Sequence, residues 1–331
     1  MQYWRFGSFA CLAGMILLGM GIRRVQAEDN EVIRLGMIGL DTSHVIAFTR
    51  ILNDPDHPQH VPGCKVVAGY KGGDPQVEAS ISRVDRYTEQ LVNDWGIEIY
   101  DTIPELCAHV DGILLETVTG TTHLEEARQV IEAGLPMFID KPLAASFEDC
   151  LEIARLAEAE GVPWFSASSL RFWEEVQKAA SPEVVGDVLG CDAYSPCAYE
   201  EHHPDLFWYG IHGVEILFTV MGPGCKSVSR FATPDTDLVV GVWEDGRIGT
   251  FRGTRTGKHG YGCMTFGTKA NYSASGHSYQ GLMQAVVDFF QTGELPVSNE
   301  ETLEIFAFME AAQRAKSTQG RPVPMPSIVL K

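Results

Sequence analysis

From residue 32 to about residue 165, short apolar runs alternate with amphipathic segments, and this alternation limits the possible folds more than any other feature. The runs are apolar throughout, as in strands that are buried on both faces. The segments between them have helical spacing and stop at glycines, namely Gly96, Gly134 and Gly161. This order predicts a doubly wound parallel sheet of Rossmann type, with strands at residues 32–39, 65–69, 111–116 and 136–139.

The second half of the chain has a different pattern. The turn Glu244-Asp-Gly246 separates two strand-like runs, residues 238–243 and 247–251, and an Asp-Gly turn in this setting predicts a hairpin. Helical spacing predicts helices over residues 204–221, 279–292 and 300–317. We therefore predict a Rossmann domain at residues 28–165, followed by an α+β domain with an antiparallel sheet at residues 166–331.

The N-terminus predicts export from the cytoplasm. Residues 6–22 carry no charge, and Val25-Gln-Ala27 has the small-residue character of a cleavage site, so residues 1–27 are predicted to be a signal peptide. The mature protein would then be periplasmic or extracellular. An uncleaved anchor is the alternative, and it is the only case in which we expect a membrane as partner.

Charge and cysteine usage narrow the possible partners. The formal net charge is −19, which excludes a nucleic-acid partner because a phosphate backbone requires clustered Lys and Arg. Of eight cysteines, Cys11 lies in the predicted signal peptide. The odd number that remains argues against a full disulfide framework. Cys191 and Cys197 either form a single bridge or remain buried free thiols.

Several short motifs recur in the order typical of one known family. The most specific is Asp140-Lys-Pro142, which is similar to that family's Glu-Lys-Pro. With the other motifs, the sequence resembles the Gfo/Idh/MocA oxidoreductase family over nearly all of the mature chain; these motifs are Gly36-Met-Ile-Gly39, Thr121-Thr-His123, Leu170-Arg-Phe172 and Gly210-Ile-His-Gly-Val-Glu215. The resemblance implies a Rossmann domain joined to an open antiparallel sheet, a nicotinamide cofactor, a carbohydrate-type substrate and a homo-oligomer.

The resemblance also implies catalytic residues. Lys141 follows a strand at the carboxyl edge of the sheet, where open α/β folds bind ligands, and its family counterpart polarises a substrate hydroxyl. His212 matches the family's catalytic histidine, although Trp208 stands where the family usually has an aspartate. On a continuous helix Asp205 or Glu215 would share the face of His212 and orient its ring.

Arg171 and the loop of residues 200–205 each leave two interpretations open. Arg171 is either a substrate contact, as its family counterpart often is, or part of a surface ion pair. The loop Glu200-Glu-His-His-Pro-Asp205 is rich in side chains that can bind a divalent metal, but a solvated acidic turn explains it without one. We assign no metal ligands, and we take Arg171, Asp205 and Glu215 as candidate substrate-binding residues.

The stretch MIGLDTSH, residues 37–44, departs from the family's Gly-x-Gly-x-x-Gly turn, because only Gly39 survives of the three glycines. Asp41 stands where the backbone normally approaches the pyrophosphate, and it would either repel the nucleotide, cap the following helix through the N–H groups of Ser43 and His44, or face away. The resemblance and this turn together give ten candidate cofactor-binding residues: Gly36, Gly39, Asp41, Thr42, Ser43, His44, Lys71, His123, Asp140 and Lys141.

These features lead to a functional hypothesis with alternatives. The first is an oxidoreductase that acts on a sugar or polyol hydroxyl with NAD or NADP, in a cleft between Asp140-Lys141 and the His212 helix. NADP is slightly favoured, because Lys71 follows the second strand where a NAD-binding domain usually has an acid. The second is a non-redox paralogue that binds carbohydrate or metal in the same cleft. The third is a hydrolase or lyase that retains its nucleotide.

Overall fold

The structure, a computed structural model, describes residues 32–330. The predicted signal peptide therefore lies outside the described residues. Six parallel strands form the first sheet, in the order β3-β2-β1-β4-β5-β6. Their bounds are β1 Ile33–Ile38, β2 Cys64–Tyr70, β3 Glu98–Tyr100, β4 Gly112–Leu115, β5 Met137–Ile139 and β6 Trp164–Ser166. This order reverses direction beside β1, where doubly wound sheets bind ligands.

Helices connect these strands, and local sequence sets their ends. Ser146 caps α6 by accepting a hydrogen bond from the Asp149 amide at 3.0 Å. Gly161 ends the same helix with a positive φ of 67°, a conformation that favours glycine. The six helices of this part are α1 Ser43–Asn53, α2 Glu78–Ile81, α3 Val84–Trp95, α4 Ile103–Cys107, α5 His123–Ala133 and α6 Phe147–Glu160.

The second sheet has seven strands in the order β12-β11-β7-β10-β9-β8-β13. Neighbours are antiparallel except β7 and β10, which pair in parallel because the β8-β9-β10 meander brings β10 back beside β7. The Asp-Gly hairpin is confirmed, since Val242 pairs with Ile248 across it. The bounds are β7 Val188–Pro196, β8 Cys225–Ala232, β9 Thr236–Trp243, β10 Ile248–Thr254, β11 Gly262–Gly267, β12 Asn271–Ser275 and β13 Val323–Pro324.

Six helices and one 3-10 helix accompany the second sheet. The 3-10 helix spans Ser169–Phe172, and the helices are α7 Glu174–Ala180, α8 Pro182–Val185, α9 Asp205–Trp208, α10 Ile211–Met221, α11 Gln280–Thr292 and α12 Asn299–Ala315. Two helices predicted as continuous are broken, between α2 and α3 and between α9 and α10. Among residues 32–330, no helix is both long and apolar enough to cross a bilayer.

The prediction of a Rossmann fold followed by a domain with an open sheet is confirmed. The hydrophobic core of the first sheet, however, includes residues from far along the chain. Phe165 of β6 packs edge-to-face on Phe289 of α11, with 5.0 Å between the ring centroids. Leu282, Met283 and Val286 of α11 lie in the same buried cluster. The chain therefore returns to cover the parallel sheet after the first six strands of the second sheet.

Cysteines contribute to these cores as free thiols. All seven cysteines of the described residues are buried and unbridged, so the structure has no Cys191–Cys197 disulfide. Burial raises the pKa of the Cys197 thiol to about 12. The alternative of buried free thiols is the one that the structure supports.

Candidate functional site

The turn after β1 needs glycine at only one position. Gly39 has a φ of +82°, and a Cβ there would come within 2.4 Å of the Thr117 backbone. Its amide donates to the Tyr70 carbonyl at 3.0 Å, and the next amide, Leu40, donates to Lys71 at 2.8 Å. The turn is therefore fixed between the ends of β2 and β4, and a side chain at residue 39 would be excluded.

Asp41 faces the protein interior. Its carboxylate is fully buried and accepts two hydrogen bonds, from the Val118 amide at 2.8 Å and the Ser80 hydroxyl at 2.6 Å. Burial raises the pKa of this carboxyl. The N-cap of α1 is Thr42, whose hydroxyl accepts from the His44 amide at 3.5 Å. The predicted cap by Asp41 is thus wrong, since Asp41 connects the loops that follow β1, β2 and β4.

A cleft of about 300 Å³ opens at the carboxyl edge of the parallel sheet. The turn after β1 contributes Thr42, Ser43 and His44 to its wall, while Lys141 follows β5 and His212 comes from α10. Three tyrosines are also part of the lining: Tyr209, Tyr261 and Tyr279. Burial raises the pKa of Tyr279 to about 12, so its hydroxyl keeps its proton at neutral pH.

Lys141 presents an ammonium group to this cleft from a largely buried position. The residue is 8% exposed, and its Nζ lies 4.0 Å from Asp140 Oδ2 and 6.0 Å from the centre of the Tyr209 ring. The Lys141–Pro142 peptide bond is cis. A single ammonium beside aromatic rings is suited to bind and polarise a hydroxyl oxygen.

His44 and Asp140 form a close pair beneath the cleft. Asp140 Oδ2 lies 2.6 Å from His44 Nδ1, and both residues are largely buried. Burial alone would raise the pKa of Asp140, but the charges of His44 and Lys141 outweigh it and lower that pKa to about 2. The His44 ring also packs on Phe48 and Tyr279, with centroids 4.9 and 5.1 Å away. His44 thus fills the space that the family's third glycine leaves open.

Glu116 is a site residue that sequence reasoning missed. It ends the buried run of β4, is fully buried, and neither carboxylate oxygen has a hydrogen-bond partner among the residues that the structure describes. Burial, and next the negative charge of Asp140, raise its pKa well above the usual value. Glu116, His44 and Asp140 each offer one atom such that the three atoms lie within 4.8 Å of one another. A carboxylate directly after an apolar strand was the signal in the sequence.

His212 lies in the cleft without a carboxylate partner. Its Nδ1 is 2.8 Å from the Ser168 hydroxyl. Burial, reinforced by the Lys141 charge, lowers the pKa of His212 well below its usual value, so the ring is neutral. Asp205 instead binds Arg230 and Lys316, at 2.7 and 2.5 Å, because the break between α9 and α10 turns it away. Asp205 is therefore not the partner of His212.

Arg171 and Glu215 form a buried ion pair, and this overturns both interpretations of Arg171. Glu215 binds the Arg171 guanidinium, which also lies 2.7 Å from Glu301 of α12. Arg171 is only 8% exposed and does not line the cleft. It is neither a surface ion pair nor a residue that reaches a substrate there, and Glu215 is likewise engaged elsewhere.

The side chains of the loop at residues 200–205 diverge. His203 Nε2 accepts a hydrogen bond from the Gly120 amide at 3.0 Å, and burial lowers the pKa of His203 to about 4. His202 lies 3.6 Å from Glu200, while Asp205 faces Arg230. These side chains therefore do not converge on one ion.

The other candidate cofactor residues have structural contacts. His123 is buried between two carbonyls, 2.7 Å from that of Thr117 and 3.2 Å from that of Leu143, so it joins the loops after β4 and β5. A Cβ on Gly36 would meet Leu106 of α4 at 2.9 Å. Lys71 is half-exposed and pairs with Asp85 at 2.5 Å.

The groove where the adenosine end of a dinucleotide lies in such folds is narrowed by the chain itself. Asp74, in the segment after β2, accepts a hydrogen bond from the Thr121 hydroxyl at 3.0 Å. Ser80 of α2, which lies in the same segment, donates a hydrogen bond to the Asp41 carboxylate. Residues 72–83 therefore reach the loop after β4. The part of the cleft between Lys141 and the N-terminus of α1 is open.

A Rossmann sheet, an open second sheet and a polar cleft at the carboxyl edge define a Rossmann fold with an added open-sheet part. Residues 33–168 match the Gfo/Idh/MocA family model, described as "Oxidoreductase family, NAD-binding Rossmann fold". This match spans the parallel sheet, and the motifs and the second sheet agree with the fold of that family.

Curated relatives match in parts. An uncharacterized oxidoreductase of Streptococcus pneumoniae is 26% identical over 161 residues, 46% of this chain and 43% of the relative. An inositol 2-dehydrogenase of Azotobacter vinelandii is 31% identical over 34% of each chain. A 2,7-anhydro-N-acetylneuraminate hydratase of Mediterraneibacter gnavus is 30% identical over 26% of this chain and 24% of the relative. The chain thus spans less than half the length of these relatives.

Solved structures match almost throughout. GenD2 from gentamicin A biosynthesis, in complex with NAD, has a TM-score of 0.72 at 18% identity, over 91% of this chain and 98% of that one. Scyllo-inositol dehydrogenase from Lactobacillus casei, with NAD(H) and scyllo-inositol, has a TM-score of 0.72 at 15% identity, over 89% and 99%. At these identities the likeness establishes the fold alone.

Proposed function

We propose that this protein is an NAD(P)-dependent oxidoreductase that acts on a hydroxyl group of a sugar or polyol. The observation that carries the proposal is the presence of Lys141 and a neutral His212 in one cleft at the carboxyl edge of the sheet. The NAD-binding description of the family and the inositol dehydrogenases among its relatives support the same activity.

The pyrophosphate part of a dinucleotide fits the turn after β1. Thr42 and Ser43 begin α1 and line the cleft, whereas the Asp41 carboxylate points inward and is bound by Val118 and Ser80. The N-terminus of a helix attracts an anion through its free N–H groups and its dipole. Because the Asp41 carboxylate points away from this position, it would not repel a bound pyrophosphate.

Each cleft residue has a distinct role in this reaction. Lys141 would bind the substrate hydroxyl oxygen and stabilise negative charge as it develops there. His212 would take the hydroxyl proton, because a neutral imidazole is a competent base and Ser168 fixes its ring. A bound nicotinamide supplies the acceptor for the hydride. The tyrosines offer hydroxyl groups and ring faces for the remaining part of a sugar or polyol.

The choice between NAD and NADP rests on the end of β2. Lys71 follows this strand, where no acid is present to bind a ribose 2′-hydroxyl, and half of its side chain is exposed. A 2′-phosphate would compete with Asp85 for the Lys71 ammonium. We therefore propose a slight preference for NADP.

A second candidate function is favoured by the contacts at the adenosine end. The Asp74–Thr121 hydrogen bond lies across the groove that an adenosine would use, so a dinucleotide can enter fully only if this bond opens. A non-redox paralogue that binds carbohydrate in the open part of the cleft beside Lys141 does not require this opening.

Titration with reduced cofactor separates the two candidates. The full chain is titrated with NADPH and NADH while energy transfer from its tryptophans to the nicotinamide is followed. Micromolar binding supports the oxidoreductase, and hydride transfer is then screened with inositols and other polyols. Folded protein that binds neither cofactor up to millimolar concentration would exclude the oxidoreductase and leave the non-redox candidate. Lys141→Met should abolish hydride transfer, and Lys226→Met, at an exposed position of β8, is its matched control in these assays.

Location and assembly are also part of the proposal. The N-terminal sequence supports export by a cleaved signal peptide, and a membrane is a partner only if that segment stays uncleaved. The resemblance to the family supports a homo-oligomer built through the open sheet. Fractionation with N-terminal sequencing and light scattering test the two statements.

A further inference from the structure

We propose that His44, Glu116 and Asp140 form a binding site for a divalent metal cation at the floor of the cleft. The three residues come from different elements, the first turn of α1 and the carboxyl ends of β4 and β5. This site is separate from the loop at residues 200–205. It uses neither Lys141 nor His212, but His44 and Asp140 are also candidate cofactor-binding residues, so metal binding has to be measured without a dinucleotide.

Glu116 is the main argument for the site. A buried carboxylate is normally paired or hydrogen-bonded, because the loss of hydration is otherwise uncompensated. Two other buried carboxylates nearby follow this rule: Asp41 accepts from Val118 and Ser80, and Glu126 accepts from the hydroxyl groups of Thr117 and Thr122. Neither oxygen of Glu116 has such a partner among the described residues.

The geometry of the three side chains suits a cation. Ligand atoms that each lie about 2.0–2.2 Å from an ion are roughly 3–4 Å apart, and these three atoms lie within 4.8 Å of one another. His44 Nδ1 and Asp140 Oδ2 are 2.6 Å apart, close enough to share a proton. A cation would replace that proton, and the two atoms would have to move apart by roughly 0.4–1.4 Å to reach the spacing of two ligand atoms.

The local charges favour a cation as well. Glu116 and Asp140 bring two carboxylates to a buried position, and Lys141 provides one ammonium at 4.0 Å from Asp140. One imidazole nitrogen with two carboxylate oxygens is a mixed donor set, suited to Zn²⁺, Mn²⁺ or Fe²⁺ rather than to a soft ion such as Cu(I). His44 also lines the cleft, so a bound ion would lie beside the pocket for hydroxyl groups.

The test measures metal binding directly and needs neither a dinucleotide nor a sugar. The full chain is stripped with a chelator and titrated with Mn²⁺, followed by the electron paramagnetic resonance signal of the free ion, and with Zn²⁺ by calorimetry. We expect one equivalent of each ion to bind at micromolar or lower concentration. Glu116→Gln keeps the shape of the side chain and removes its charge, and we expect it to weaken binding at least tenfold.

Glu126→Gln is the matched control, because Glu126 is a buried carboxylate of the same neighbourhood that is already hydrogen-bonded. It should bind Mn²⁺ as the unchanged protein does. His44→Gln provides a second variant if Glu116→Gln does not fold, which circular dichroism reports. Absence of binding up to millimolar metal would overturn the site. Equal binding by the Glu116→Gln and His44→Gln variants would show an adventitious ion only, and it would overturn the site too.

Discussion

Asp41 gives the turn after β1 a structural role through its side chain, while the backbone still turns at Gly39. In a glycine-rich turn the second glycine leaves room for a phosphate. Here the same position carries a carboxylate that turns inward and joins three loops through Val118 and Ser80. The backbone therefore still turns at Gly39, and the two hydrogen bonds of Asp41 hold the turn to the neighbouring loops.

This arrangement makes Asp41 a stability residue. We expect Asp41→Ala to lower the free energy of unfolding by about 2–4 kcal/mol, because the buried Val118 amide and Ser80 hydroxyl would both lose their acceptor. Urea denaturation followed by tryptophan fluorescence measures the change. Ser43→Ala, at an exposed position of the same turn, is the control. A loss below about 0.5 kcal/mol for Asp41→Ala would contradict the assignment.

Glu126 makes stability depend on pH. Burial raises its pKa from 4.5 to about 7, although Thr117 and Thr122 hydrogen-bond its carboxylate. Between these values the folded state binds more protons than the unfolded state, so the free energy of unfolding falls as pH rises, by at most about 3 kcal/mol. We expect Glu126→Gln to be more stable than the unchanged protein at pH 8 and to lose this advantage at pH 4.5. Urea midpoints at the two pH values test it, and an advantage that does not vary with pH would refute it.

At the scale of elements, the segment of residues 72–83 decides how a dinucleotide enters. Its Asp74 holds the Thr121 hydroxyl at 3.0 Å across the adenosine groove. A hydrogen bond that must open before a ligand binds subtracts its own free energy from the binding free energy. The segment thus sets a limit on cofactor affinity.

Removing the Thr121 hydroxyl should therefore tighten cofactor binding. We expect Thr121→Val to bind NADH about three- to tenfold more tightly, which corresponds to the net contribution of a typical hydrogen bond, about 0.7–1.4 kcal/mol. The fluorescence titration measures it. Thr88→Val is the control, because the Thr88 hydroxyl bonds only within α3, to Val84. Unchanged or weaker NADH binding by Thr121→Val would show that the bond does not obstruct the groove.

The breaks in two predicted helices mark the limit of what periodicity reveals. Residues 204–221 have a helical pattern throughout, yet Tyr209 leaves the helical backbone with a φ of −129°. The next residue, Gly210, packs so closely that a Cβ would lie 3.1 Å from Cys197 Sγ. Such a tertiary contact has no local pattern, so the sequence predicted one helix. That error placed Asp205 beside His212, whereas in the structure Asp205 faces Arg230.

The residues of the candidate site also fall into two groups, those that local sequence patterns predicted and those that they did not. Lys141 and His212 were predictable because each lies in a short motif next to a strand or on a helix. The pair of His44 and Asp140 was not, since 96 residues separate them in sequence. Glu116 joins them only through the parallel pairing of β1 and β4. Contacts made by tertiary structure leave no local pattern in a sequence.

At the scale of the whole molecule, Arg171 connects three elements through buried ion pairs. It lies in the 3-10 helix after β6, binds Glu215 of α10 and lies 2.7 Å from Glu301 of α12. All three belong to the part of the chain that follows the parallel sheet. Removing one member of a buried group of ions leaves the others uncompensated.

We expect Arg171→Met to cost about 3–5 kcal/mol of unfolding free energy, because Glu215 would remain buried without a counter-charge. Arg155→Met removes a bidentate pair with Glu152 on the surface of α6 and should cost at most about 1 kcal/mol. Thermal and urea denaturation measure both. Adding Glu215→Gln to Arg171→Met should restore part of the loss, and equal costs for the two single variants would be inconsistent with this role.

The return of α11 to the parallel sheet has a consequence for synthesis on the ribosome. Phe165 lies in the last parallel strand, but its partner Phe289 is made only after six of the seven strands of the second sheet. Until then, the apolar surface that α11 covers in the finished protein is exposed to water or to a chaperone. The chain therefore completes this core only near the end of translation.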